Sequence, residues 1–242
     1  MKKFLAFSLC LLLLLPLFAC SAGSGAQELA AAAKATRAAG SFVFRFEHVY
    51  TALLELTGAP VQTELLDKTS LSITGLPDTV RASGVSARLA GGVSLSETSL
   101  YIADGFAYSR TVDEDSTLTG KEALGEDFTG STPLYLALYP LSLAAGDAFA
   151  GRKVSLSKDG SLSYYSVALL LSELQSLQRS RLGFAQDGET GLTLTYTVEN
   201  GRVVEAAVSG ERGGQSVSYR FRYAAIGETV SITPFEGWAD IS

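Results

Sequence analysis

Ser41 to Tyr50 alternates without a fault, and this constrains the fold more than any other stretch. Phe42, Phe44, Phe46 and His48 fall on one face, and Val43, Arg45 and Glu47 on the other. Three phenylalanines in line on a strand require a deep partner surface. A second stretch repeats the pattern near the other end of the chain, where Val217, Tyr219, Phe221 and Tyr223 alternate with Ser218, Arg220 and Arg222. A sheet with one strongly apolar face follows.

The turns set its type. Asp104-Gly105 separates Leu100–Ala103 from Phe106–Ser109, and Asn200-Gly201 separates Leu192–Glu199 from Arg202–Val208. Both pairs favour the two-residue type I′ hairpin turn. A two-residue turn at Asn200-Gly201 sets Glu199 opposite Arg202, Val198 opposite Val203 and Tyr196 opposite Glu205. Further strands are expected at Thr69–Thr74, Thr79–Ala90 and Gly92–Ser96. Others are expected at Gly151–Leu156 and Gly160–Tyr164 about a Lys158-Asp159 turn, and at Val230–Thr233. Ala52–Asp67 is ambiguous, and Gly210–Gly214 reads as a turn. Hairpins dominate and the long crossovers of parallel sheets are absent, so the fold class is α+β, mainly antiparallel β.

Three helices are expected. Gln27–Ala39 is Ala-rich, with a thin apolar face of Leu29, Ala32, Ala33 and Thr36 and a stop at Gly40. Ser131-Thr132-Pro133 starts a second, over Leu134–Ala145, interrupted by Pro140 into one short helix or two turns. Ser166–Leu182 places Val167, Leu170, Leu171, Leu174 and Leu177 at helical spacing. The acidic stretch Asp113–Asp127 reads as a loop.

The first residues carry an address. Lys2 and Lys3 precede an apolar run to Phe18, the pattern of a secretory signal. A membrane-spanning helix needs about 20 apolar residues, and small polar residues follow at Ser21. A transmembrane anchor is the weaker alternative. Leu17-Phe18-Ala19-Cys20 resembles the lipobox of bacterial lipoproteins. The resemblance implies cleavage before Cys20 and a diacylglycerol on its thiol, and two acyl chains hold a protein stably on a bilayer. The expected division is a signal peptide over 1–19, a lipidated tether over 20–26 and one domain over 27–242. Six tether residues reach roughly 20 Å at full extension, so the domain sits close to its membrane.

Cleavage leaves 223 of the 242 residues and removes Cys10. No disulfide, cysteine nucleophile or thiolate metal site is then available in the domain. Lys2 and Lys3 leave too, so 17 of the 19 basic side chains face 25 acidic ones, a formal charge of −8. That excludes a nucleic-acid partner and leaves membrane attachment to the acyl group.

The chain also resembles the LolA/LppX-like lipoproteins and their Gram-positive relatives of unknown function. The features that carry the resemblance are the lipobox ending at Cys20, the Ala/Leu/Lys helix before Ser41-Phe42-Val43-Phe44, the Tyr101–Tyr108 hairpin and the closing Tyr223–Ile232 stretch. It implies a curved half-barrel sheet closed by a few helices, with Leu170–Leu177 as one closing element. It also implies a hollow that takes a lipid or acyl chain. Phe42, Phe44, Phe46, Tyr219 and Phe221 are the candidate ligand-binding residues.

No pattern points to an enzyme, a metal site or a cofactor. His48 is the only histidine, so any triad or histidine metal site must use it, and a rim or packing role suits its place near a strand end. Asp113, Glu114, Asp115, Glu122, Glu126 and Asp127 do not follow the EF-hand spacing and read as a solvated loop. Two alternatives to ligand binding stand: a cell-envelope structural or protein-interaction module, its protein partner unidentified, with a filled barrel and no ligand, and a hydrolase with carboxylates scattered in sequence.

Overall fold

Both predicted hairpin turns are present in the computed structural model, which describes residues 21–56, 59–173, 191–212 and 215–241. Asp104 and Gly105 have φ of 54° and 80°, and Asn200 and Gly201 of 50° and 71°. Left-handed backbone at both central residues is what a type I′ turn requires. Among the described residues eleven antiparallel strands form one sheet. They are β1 (Ser41–Leu56), β2 (Ala59–Thr74), β3 (Arg81–Ala90), β4 (Val93–Ala103), β5 (Phe106–Asp113) and β6 (Thr117–Ala123). The rest are β7 (Ser155–Asp159), β8 (Leu162–Leu170), β9 (Gly191–Glu199), β10 (Arg202–Arg212) and β11 (Gln215–Ala224).

The spatial order is β6-β5-β4-β3-β2-β1-β11-β10-β9-β8-β7. Two meanders are thus joined where the first strand pairs with the last. Among the described residues β6 and β7 have no partner on their outer sides, and the sheet is an open half-barrel. The chain leaves one edge after β6 and must reach the opposite edge to begin β7. The connection carries a helix, α2 (Thr132–Ala145), which follows α1 (Ser21–Ala38) in chain order.

α2 is apolar all round and ten of its fourteen residues are buried, as expected of a helix laid inside a curved sheet. It is continuous through Pro140, whose carbonyl accepts a hydrogen bond from the Tyr196 hydroxyl at 3.2 Å. The Ala137 carbonyl accepts one from Tyr223 at 3.0 Å. α1 buries the predicted face of Leu29, Ala32, Ala33 and Thr36. The Thr36 hydroxyl donates to the Ala32 carbonyl and accepts from the Val203 amide, both at 2.9 Å. That side chain ties the helix to β10 through a bond buried from water. Gly40 ends the helix at φ 77°.

Several expectations are corrected. Among the described residues the first helix runs from Ser21, so residues 21–26, expected as a tether, are helical. Asp113–Asp127 is not a loop throughout, because Thr117–Ala123 is the edge strand β6. Both of its faces are largely exposed, so no alternation marks it, and its Lys121 suits an unpaired edge. Ser166–Leu170 is strand, not helix: Tyr165, Val167 and Leu169 are buried against β9 while Ala168 and Leu170 are exposed. The remainder of that expected helix, from residue 174, lies outside the described residues; Leu170 itself belongs to the strand, and among the described residues α1 and α2 pack on the sheet. The β7–β8 turn falls at Gly160-Ser161, since Asp159 pairs with Leu162.

The β9–β10 register holds at Glu199–Arg202 and Val198–Val203 and then shifts by one at a bulge. Tyr196 therefore faces Ala206, not Glu205. β10 continues to Arg212, past the expected start of a turn. Val230–Thr233 is not a strand. Both sides of β11 are already occupied by β1 and β10, so the tail crosses the convex face instead. There the Thr233 amide donates to Ser83 Oγ at 2.9 Å, and Trp238 packs on Tyr101 with ring centroids 4.6 Å apart.

Candidate functional site

The concave face is best described as rows of cross-strand partners. Phe42 aligns with Ile73, Ala82, Ile102 and Ala107, and Phe44 with Leu71, Gly84 and Leu100 on one side and Tyr223 on the other. These residues are apolar, and the Phe44 row reaches the polar Ser109 on β5. The Phe46 row continues as Phe221, Ala206, Tyr196 and Tyr165 toward β8. Toward β5 it becomes Thr69, Ser86, Thr98 and Thr111. The His48 row divides in the same way. It runs through Tyr219, Val208, Leu194 and Val167 on one wing and Asp67, Arg88 and Ser96 on the other.

The nominated aromatic residues come together across β1 and β11. Phe46 lies 5.3 Å from Phe221 and 6.3 Å from Tyr219, and Phe44 lies 6.5 Å from Phe221, ring centre to ring centre. Phe42, Phe44 and Phe221 have no exposed surface. They form packed core at the end of the hollow that α2 fills, and only Phe46 and Tyr219 border the site beyond. The Tyr223 and Tyr196 hydroxyls that fasten α2 lie in the Phe44 and Phe46 rows. Burial pushes both phenols well above their ordinary range.

Beyond the helix-bound rows sits a polar cluster built on His48. Its ring stacks on Tyr219 at 4.2 Å and on Tyr50 at 4.5 Å, nearly parallel to both. Nδ1 faces the Asp67 carboxylate at 3.8 Å, too far for a hydrogen bond but close enough to feel its charge. Arg88 Nε donates to Asp67 at 2.8 Å and a second guanidinium nitrogen reaches the other carboxylate oxygen at 3.4 Å. Burial pushes the Asp67 carboxyl up, but His48 and Arg88 pull it down further, leaving it below the usual carboxylate range. The 2.8 Å guanidinium contact is the stronger of the two influences by geometry. Burial and the Asp67 charge both push the Tyr50 phenol up. His48 Nε2 is buried without a hydrogen-bond partner among the described residues.

Beside this cluster the hydroxyls pair along their row, Thr69 with Ser86 at 2.9 Å and Thr98 with Thr111 at 2.8 Å. Ser86, Thr98, Thr111 and Arg88 are partly or well exposed. The face thus offers donors and acceptors on one wing, beside an apolar wing whose side chains are buried.

A separate groove of about 850 Å³ runs between α1 and residues 146–154, with Ala30, Ala145 and Phe149 on its floor and Lys34 and Lys153 at its rim. Among the described residues no group of acidic side chains could hold a metal ion; Asp113 accepts hydrogen bonds from the Ser116 hydroxyl and the Ser116 and Asp115 amides, which hold its carboxyl below its ordinary range. Cys20 lies outside the described residues.

Sequence reasoning placed His48 on its face but missed Tyr50, Asp67 and Arg88. The missing signal was the β1–β2 register. Once Leu56 pairs with Ala59, Asp67 falls opposite His48.

No family model and no curated protein matches the chain. Among solved structures, it is similar to a DUF1329 family protein from Desulfovibrio piger at 8% identity and a TM-score of 0.33, over 88% of this chain and 95% of that one. It is also similar to a beta-barrel-like DUF1849 protein from Brucella abortus at 9% identity and a TM-score of 0.17, over 76% and 96% of the two chains.

Proposed function

We propose that this is a non-enzymatic, extracytoplasmic lipoprotein, held to the bacterial cell membrane by an acylated Cys20. Its half-barrel binds an amphipathic ligand on the concave face beyond the helices. One observation supports the reading: the His48 row changes from apolar side chains toward β8, which are buried, to partly exposed hydrogen-bonding ones toward β4, so a tail would enter where the apolar wing is now covered and a head group would stay on the polar wing. A lipid-like molecule has the same division. Each methylene removed from water contributes about 0.8 kcal/mol, so a chain of ten supplies a gross gain near 8 kcal/mol before ordering costs.

Burial of Val167, Leu169, Leu192 and Leu194 favours a second reading, a filled barrel that serves as a protein-interaction module. Native mass spectrometry of the full chain extracted from membranes separates the two. The first reading expects a diacylglycerol mass on Cys20 and a copurified amphiphile that leaves on activation. Anchored but ligand-free protein favours the interaction module, and an unmodified Cys20 contradicts the anchor.

A further inference from the structure

We infer that the His48 cluster is a subsite for a neutral, hydroxyl-bearing head group, such as the glycerol of a monoacylglycerol. The inference rests on the ligand-binding reading above and specifies what that ligand carries.

The first argument is the unpartnered nitrogen. Nδ1 of His48 faces a carboxylate, so in the neutral imidazole the proton belongs on Nδ1 and Nε2 is left as an acceptor. Nε2 is buried and has no hydrogen-bond partner among the described residues. A buried acceptor without a donor is costly, and the ligand group that relieves it must donate a proton. A hydroxyl does so, whereas an ionised carboxylate cannot.

The second argument is charge. Asp67 and Arg88 neutralise each other, so the cluster presents no net positive charge to an anion. Asp113 ends the same row on β5 and adds a negative one. The mature chain as a whole is acidic. Phosphate and carboxylate heads are therefore disfavoured, whereas a polyol meets matching groups on every side. Its oxygens can accept the one proton left free in each hydroxyl pair, Thr69–Ser86 and Thr98–Thr111, and its protons can go to Nε2. The ring stack of Tyr50, His48 and Tyr219 fixes the direction in which Nε2 points, and it marks the line where the polar wing meets the apolar one.

The test uses the full lipid-anchored chain and an equimolar mixture of monolauroylglycerol, lauric acid and dodecyl phosphate, read by native mass spectrometry from detergent. The three share a twelve-carbon tail and differ in head group. The expected result is a preference of about tenfold or more for monolauroylglycerol, the scale of one buried hydrogen bond left unmade. His48→Phe keeps an aromatic ring on Tyr50 and Tyr219 and should abolish that preference. Thr69→Val combined with Ser86→Ala, a second route should His48→Phe not fold, should reduce it. Binding of all three ligands alike, or an unchanged preference in a folded variant, overturns the inference and leaves the ligand-binding reading intact. Binding of none of the three overturns both.

Discussion

Phe44→Ala separates core from ligand wall. Phe44 was nominated from its strand pattern as a ligand contact, yet it has no exposed surface and packs on Tyr223 at 5.8 Å and Phe221 at 6.5 Å. It lies in the row where the Tyr223 hydroxyl fastens α2, so neither the helix nor the strand can close over the missing ring without breaking a hydrogen bond. Removing a fully buried phenylalanine costs about 3–5 kcal/mol, the lost transfer free energy plus the cavity. For a chain of this size each kcal/mol lowers Tm by about 2–4 °C, so a fall of roughly 6–20 °C is expected. Circular dichroism melts of wild type and variant measure it. Ligand affinity at a temperature where the variant is folded should change little. A Tm within 2 °C of wild type together with lost binding would refute the placement of Phe44 in the core.

Three more expectations follow from the same structure. Gly201→Val puts a β-branched residue at φ 71°, where its Cβ meets no neighbour, so the cost is conformational alone, about 1–2 kcal/mol in a thermal melt. Gly84→Ala aims a methyl at the Ser70 carbonyl oxygen from within a paired strand, and the melt should fall further than for Gly201→Val, since backbone must move. Asp67 has a folded-state pKa below its unfolded value, so its contribution is present above about pH 4 and is lost as pH falls through the folded value. Asp67→Asn should therefore flatten the acid limb of the stability curve below that pH, and an unaltered limb would contradict the Arg88 pairing.

Legibility in the sequence followed local signals. Asp104-Gly105 and Asn200-Gly201 announced their hairpins because two consecutive positive-φ residues leave few other choices. The Phe42–Phe46 and Tyr219–Tyr223 faces showed because one side of each strand is apolar and the other polar. β8 misled for the opposite reason. A run holding Val167, Leu169, Leu170 and Leu171 satisfies both a helical and a strand period, and pairing with Leu192 and Leu194 of β9 decided between them. β6 was silent because an exposed edge needs no apolar face. The bulge after Val203 could not be read from turn type, and it moved Tyr196 from Glu205 to Ala206. The polar cluster was the least legible part. His48, Asp67 and Arg88 come from three strands, and only the registers bring them together.

Photocrosslinking with a diazirine-bearing monoacylglycerol, followed by peptide mapping of the full chain, tests the location of the ligand most directly. The account predicts label in peptides that contain Tyr50, Ser86 or Thr98, partly exposed residues on the same face as His48, and competition by unlabelled monolauroylglycerol. Label confined to the groove of Ala30, Lys34 and Phe149, or to the convex tail around Trp238, would contradict it.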